Sequence, residues 1–388
     1  MPVHDFDRII NRRGGDCIKW NLHPEDILPM WVADSDFAAP EPLVRALQNR
    51  MEHGIFGYSD SQTAGFRQAV CHWMRSRFGW NTREEWVAFS PSVVFSLALC
   101  VTTFTAPGEN VLFLTPAYPP FFQVCENNGR KVLTSSLIQN SGRYEIDFDD
   151  MEHKLARQRT RMFFLCNPHN PTGRVFSREE LLRIGELCEK HNVLVVADEI
   201  HGDYVFPGKE HIPFASLSEE FGRRTLTAIN PSKTFNVADL HASAVISANK
   251  SLLGRFSRAV SNLGLHSNAI GILALRVAYT ECHWYADQVA AYVKGNIDHA
   301  VKHINSRLPG INADTPEATY LLWLDCRQMG LPQKELMDFF LNRAKIAFNS
   351  GTDYGPEGEG FVRMNLACPR ATVDDALNRL EKAAGTGE

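Results

Sequence analysis

Short unbroken apolar runs alternate along most of the chain with longer stretches in which apolar positions recur every three or four residues. The runs at 111–114, 162–166, 193–197, 225–229 and 244–247 read as short strands buried on both faces, and 131–136 as a further strand. Helical spacing covers 41–52, with Pro42 near the first turn, and 65–78. A third helix starts at Ser90-Pro-Ser-Val-Val94 and runs to about Phe104, before Pro107-Gly108. A fourth opens on Ser177 with Glu180 three residues on, a capping box, and continues to about His191. Helical patterns then cover 252–279 and 284–306, and the tail holds strands at 319–324 and 360–366 and helices at 333–345 and 373–383. Residues 1–40 show no helical periodicity but carry Trp20, Trp31 and Phe37, so they are expected to form an arm packed onto something, a second subunit being one candidate.

Strands alternating with helices predict a mainly parallel α/β sheet. A length of 388 residues suits two domains, or one large and one smaller. The tail, together with the arm, reads as the smaller one.

Composition narrows the class. At 44% hydrophobic and 22% charged, the chain has the balance of an ordinary soluble globular protein. A formal net charge of -5 gives no general attraction for nucleic acid or anionic lipid. The nine cysteines are odd in number and none forms a Cys-x-x-Cys pair, which predicts reduced thiols in the cytoplasm and neither a disulfide framework nor a metal site. The start, MPVHDFDRII, lacks an apolar signal core, and the longest apolar stretch, 93–104, is too short to span a bilayer.

Candidate chemistry gathers where the strands end. In an open α/β sheet the ligand site lies beyond the carboxyl ends of the strands. Tyr118 follows the strand at 111–114, Asn167 and Asn170 the strand at 162–166, Asp198 the strand at 193–197, and Lys233 the strand at 225–229. Lys233 sits in a polar turn, Asn230-Pro-Ser-Lys-Thr, between two segments that want burial. Burial lowers a lysine pKa, and the neutral amine is a nucleophile able to form a Schiff base. The helix start at Ser90-Pro-Ser-Val-Val94 offers backbone N–H groups that suit a phosphate. Each feature alone also fits a turn, a cap or a surface loop; their order at successive strand ends is the signal.

That order resembles the pyridoxal phosphate enzymes of the aspartate-aminotransferase fold, a large domain with a mainly parallel sheet plus a smaller α/β domain. Met30-Trp-Val-Ala-Asp-Ser-Asp-Phe37, Thr115-Pro-Ala-Tyr-Pro-Pro-Phe-Phe122, Pro168-His-Asn-Pro-Thr-Gly-Arg174, Asp198-Glu-Ile-His201, Pro231-Ser-Lys-Thr-Phe-Asn236 and Gly360-Phe-Val-Arg-Met-Asn365 are similar to motifs of the MalY/PatB-type cystathionine β-lyases, cystalysin included. The resemblance spans nearly the whole chain. It implies an arm and part of the small domain at 1–48, a large cofactor-binding domain at 49–284 and a small domain at 285–388.

What the resemblance implies for single residues is specific. Lys233 would carry pyridoxal 5'-phosphate and act as base on the substrate Cα. Asp198 would pair with the pyridine nitrogen, Asn170 would donate to the ring oxygen, and Tyr118 would stack on the ring. Val93, Val94, Ser232 and Asn230 would hold the phosphate, joined by Tyr58 from the neighbouring subunit of a homodimer. Arg363, with Ala33 and Asn170 beside it, would bind the substrate carboxylate. There are departures. His241 stands where the wider family often has a phosphate-binding arginine, and Asp239 where a glycine is usual, so a changed pocket wall or a second polar contact is expected there. Pro119 replaces a second tyrosine seen in some relatives. The implied reaction is β-elimination from cystathionine or another cysteine S-conjugate or sulfoxide, with a small sulfur amino acid as substrate and no nucleic acid or membrane partner. An aminotransferase, or a regulatory protein that keeps the cofactor as a ligand, stays open from residues alone.

Overall fold

The protein, seen in a computed structural model, is described over residues 2–61, 64–140 and 142–385. Its central sheet has seven strands in the spatial order Val87–Ser90, Ser243–Ile246, Thr225–Ile229, Leu194–Asp198, Thr160–Cys166, Asn110–Thr115 and Lys131–Ser136. The last five lie parallel to one another, and Ser243–Ile246 runs antiparallel to both of its neighbours. The alternation of side chains explains the unbroken apolar runs. Val111 and Phe113 face one layer, with Leu97 and Val101 of the helix Val93–Phe104. Leu112 and Leu114 face the other, with Leu181 and Ile184 of the helix Arg178–Lys190. A sheet buried on both faces has no polar side to show in its sequence.

A second sheet orders Asn312–Ala313, Leu321–Asp325, Phe361–Asn365 and Asn349–Ser350, all antiparallel. The helices His283–Arg307 and Arg370–Gly385 bury Val293, Ile297, Leu377 and Leu380 in the same apolar cluster as Leu322, Leu324, Val362 and Met364.

The arm packs onto its own chain. It contains one helical turn, Ile18–Asn21, and a two-residue strand, Leu28–Pro29, parallel to Ile346–Ala347. A buried ion cluster holds it. Lys19 Nζ lies 2.8 Å from Asp36 Oδ2, Arg12 Nη1 lies 2.7 Å from Asp36 Oδ1, and Trp20 Nε1 donates to the same carboxylate at 2.8 Å. Burial alone would raise the Asp36 pKa; Lys19, Trp20 and Arg12 outweigh it and hold the carboxyl below its usual value.

The pattern at 252–279 is two helices, Lys250–Asn262 and Ala269–Glu281. Between them Gly264 takes φ +67°, and Asn268 caps the second helix by accepting from Ile270 N–H at 3.0 Å. The pattern at 333–345 is the helix Gln333–Asp338 followed by a π turn, Phe339–Arg343. The strand Val87–Ser90, the helices Pro119–Glu126 and Phe148–Leu155, and the hairpin Ile138–Asn140 with Arg143–Glu145 were not read from the pattern.

Removing one partner of a buried ion cluster leaves the other charge uncompensated. Asp36→Ala is expected to cost about 3 kcal/mol in urea denaturation. Glu219→Ala, which breaks an exposed pair with Arg223, is expected to leave the midpoint unchanged.

Candidate active site

A cavity of about 200 Å³ opens at the carboxyl ends of the central strands, and Ala33, Val93, Val94, Tyr118, Asn170, Asp198, Asn230, Ser232 and Lys233 all line it. Strand register sets Asp198 beside Cys166 on one neighbour and Ala228 on the other. Lys233 lies on a single helical turn, Ser232–Phe235, whose entry is tied by Asn230 Oδ1 accepting from Ser232 N–H at 2.8 Å.

Lys233 Nζ donates to Ala33 O at 2.6 Å. Burial, then the positive Arg363, lower its pKa to about 8, against the pull of Asp34 and Asp198. Asp198 is the converse case. Burial raises its pKa to about 6, opposed by Ile200 N–H, which donates to Oδ1 at 3.2 Å, and by Lys233. The site thus holds an amine that is easily neutralised and a carboxylate that gains from a positive N–H donor.

The helix Val93–Phe104 is capped by Ser92, which accepts from Phe95 N–H at 3.2 Å. The first N–H groups of a helix have no partner within it, and here Val93 and Val94 stand on the cavity wall, a setting that suits an anion.

Arg363 is joined to the cavity through Asn170. It is 4% exposed, and its Nη1 donates to Asn170 Oδ1 at 3.1 Å. Nη2 donates to Trp31 O at 3.0 Å and to Asn349 Oδ1 at 2.7 Å, Asn349 being its cross-strand neighbour. All three acceptors are neutral. Nε has no partner, and among the described residues no carboxylate pairs with this guanidinium. A buried cation so placed is costly until an anion meets it.

Three of the singled-out residues lie off the cavity, and for Asp239 and His241 the expectation changes. Tyr58 is 96% exposed and away from the cavity of its own chain. Asp239 and His241 are both exposed, and neither lines the cavity. Asp239 borders a separate apolar groove with Leu43, Leu47 and Met51, so the expected change of pocket wall is absent from this chain. The short 3-10 turn Ala238–Leu240 brings only Ala238 to the wall.

Ser92, Cys166, Ile200 and His201 line the cavity without having been singled out. His201 is buried, and its Nδ1 has no partner. Burial, then Lys233 and Arg363, keep the imidazole neutral, its pKa well below the usual value. The available signal was its place three residues after Asp198. Glu199, between them, turns away: its Oε1 accepts from Phe214 N–H at 2.8 Å, and its Oε2 lies 3.1 Å from His211 Nε2.

A doubly covered sheet bearing an amine, a carboxylate and a helix start around one cavity is the arrangement of the class I and II aminotransferases, and the chain belongs to that family, whose model matches residues 25–380. Within it the chain stands with the MalY/PatB-type C–S lyases. It is 43% identical to cystathionine beta-lyase PatB of Bacillus subtilis (strain 168), over 98% of this chain and 99% of that one. Protein MalY of Escherichia coli (strain K12) is 32% identical, over 98% of this chain and 99% of its own. The crystal structure of cystalysin from Treponema denticola, which contains pyridoxal 5'-phosphate, matches with a TM-score of 0.97 at 31% identity, covering 100% of both chains.

The lowered pKa of Lys233 is directly measurable. In competitive acetylation followed by mass spectrometry, labelling of Lys233 in protein stripped of bound small molecules is expected to rise through a midpoint near pH 8. Exposed lysines follow a midpoint of roughly 10.4.

Proposed function

We propose that the protein is a pyridoxal 5'-phosphate-dependent C–S lyase that cleaves cystathionine or another cysteine S-conjugate by β-elimination, giving a thiol, pyruvate and ammonia. The reading rests on the half-buried, readily neutralised amine of Lys233, which shares one cavity with an under-compensated carboxylate. The chain's relatives named cystathionine beta-lyase add to it. When bound, the cofactor supplies a ring that takes up the electron pair left at Cα.

Each residue then has a task. Lys233 would hold the cofactor through its Nζ, and the same amine, once neutral, would take the proton from Cα. Asp198 keeps a proton on the pyridine nitrogen by a charge-assisted hydrogen bond. Tyr118 covers the ring face, and Asn170, whose Oδ1 is engaged by Arg363, has its amide N–H free for the ring oxygen. Val93 and Val94 N–H groups, with Ser232 and Asn230, hold the phosphate. Arg363 holds the substrate carboxylate, with Ala33 and Asn170 beside it, and so places Cα near Lys233.

The protein acts as a homodimer in which Tyr58 reaches the partner's phosphate. Tyr58 does nothing for its own cavity, and it continues an exposed apolar patch with Met51, Ile55 and Phe56. All nine cysteines are unpaired, in keeping with the reducing cytoplasm. The arm and small domain (1–48 and 285–388) frame the site of the large domain (49–284).

Lys233→Ala is expected to abolish pyruvate release and the borohydride-trapped adduct, read by a coupled pyruvate assay and mass spectrometry. Arg363→Ala should lower kcat/KM by about 10²–10³-fold, since a desolvated carboxylate pair is worth a few kcal/mol. Arg157→Ala, on the exposed surface, should change little. Pyruvate and thiol must appear without added keto acid; dependence on 2-oxoglutarate would mark an aminotransferase instead. A screen of cystathionine, S-alkyl cysteines and their sulfoxides then sets the preferred substrate.

A further inference from the structure

We propose that Asp203 is a positioning residue for Lys233, acting through the hydroxyl of Thr234; this rests on the reading of Lys233 as the lysine that carries the cofactor. A lysine side chain has four rotatable carbons, so its amine is only as well placed as the backbone that bears it. The turn that follows Asp198 supplies two grips on that backbone. Thr234 Oγ1 donates to Asp203 Oδ2 at 2.6 Å, and Tyr204 O–H donates to Lys233 O at 3.2 Å. The turn itself is tight, with Gly202 N–H donating to Glu199 O at 3.0 Å and Tyr204 N–H to His201 O at 2.9 Å. Gly202 is required there, because a Cβ would lie 2.9 Å from Cδ2 of the buried His211 ring.

Asp203 is in turn anchored from behind. Arg77 Nε lies 3.4 Å from its Oδ1, Arg77 Nη2 donates to its carbonyl at 3.4 Å, and Arg77 also pairs with Asp287 on the helix His283–Arg307. Asp203 is 9% exposed and Thr234 1%. A buried ionised acceptor makes a stronger hydrogen bond than a neutral one. Burial raises the Asp203 pKa, while Arg77 and Thr234 favour its charged form. Asp198 and Lys233 are thereby spaced by one short turn and two hydrogen bonds; Ile200 and His201 of that turn line the cavity, whereas Asp203, Tyr204 and Thr234 stand behind the lining.

The test compares Thr234→Val, which keeps the shape and removes the donor, with Thr234→Ser, which keeps the donor. Pyridoxal 5'-phosphate is offered to each stripped protein; its Kd and the rate of the borohydride-trapped adduct are measured, then kcat and KM for cystathionine. Thr234→Val is expected to bind pyridoxal 5'-phosphate about tenfold more weakly and to lower kcat about tenfold, with KM within about twofold. Thr234→Ser is expected to restore both to within about twofold of the parent. Asp203→Asn, which retains an acceptor oxygen without the charge, should show a smaller fall of the same kind. Equal behaviour of the Val and Ser variants, or a Val variant with unchanged Kd and kcat, would overturn the role of Asp203. An unmodified protein that forms no adduct would overturn the assignment of Lys233, and this proposal with it.

Discussion

The rest of the site depends on keeping a primary amine and a carboxylate out of water and yet apart. Left to themselves, Lys233 and Asp198 would lower their energy by pairing, and each tunes the other's pKa. Instead Lys233 donates to the carbonyl of Ala33, and Asp198 accepts from the backbone of Ile200. The separation comes from the sheet. Asp198 ends one strand, and Lys233 sits past the end of the adjacent strand, on the helical turn Ser232–Phe235. On the proposed function, Lys233 and Asp198 would hold one and the same cofactor from its two sides.

Arg363 poses the same problem in a different part of the chain. A guanidinium surrounded by Asn170, Asn349 and the Trp31 carbonyl has its geometry fixed and its charge unanswered. Neutral acceptors suit a binding group: they orient the fork without competing as a resident carboxylate would. On the proposed function, the amine and the guanidinium would each meet one end of an amino acid substrate.

Much of this was legible in the residues. Continuous apolar runs marked the inner strands, because a strand buried on both faces carries no alternation, and the polar residue just after each run marked the cavity edge. The capping box at Ser177 and Glu180 is present as read, with both reciprocal hydrogen bonds. Legibility failed where a signal was short or overridden. Val87–Ser90 is four residues long and its last residue doubles as a helix approach. Residues 252–279 keep an apolar stripe through a break that only Gly264 and Asn268 betray. His201 entered only as the last residue of the motif Asp198-Glu-Ile-His201, and its orphaned nitrogen is a property of packing that spacing cannot reveal. Asp239 and His241 were misplaced because distance along the chain from Lys233 does not say which side of a left-handed turn a residue faces; Asn236 and His241 both adopt positive φ there.

The arm carries a consequence for how the molecule matures. Its backbone at residues 31–34 bridges Lys233, Arg363 and Asn365, and its strand pairs with Ile346–Ala347, more than three hundred residues downstream. Of these partners Arg363, Asn365 and the strand Ile346–Ala347 are made near the end, since synthesis proceeds from the amino end. Contacts of such long range are slow to close, and a chain that stops short of Ile346 lacks the strand to which the arm pairs.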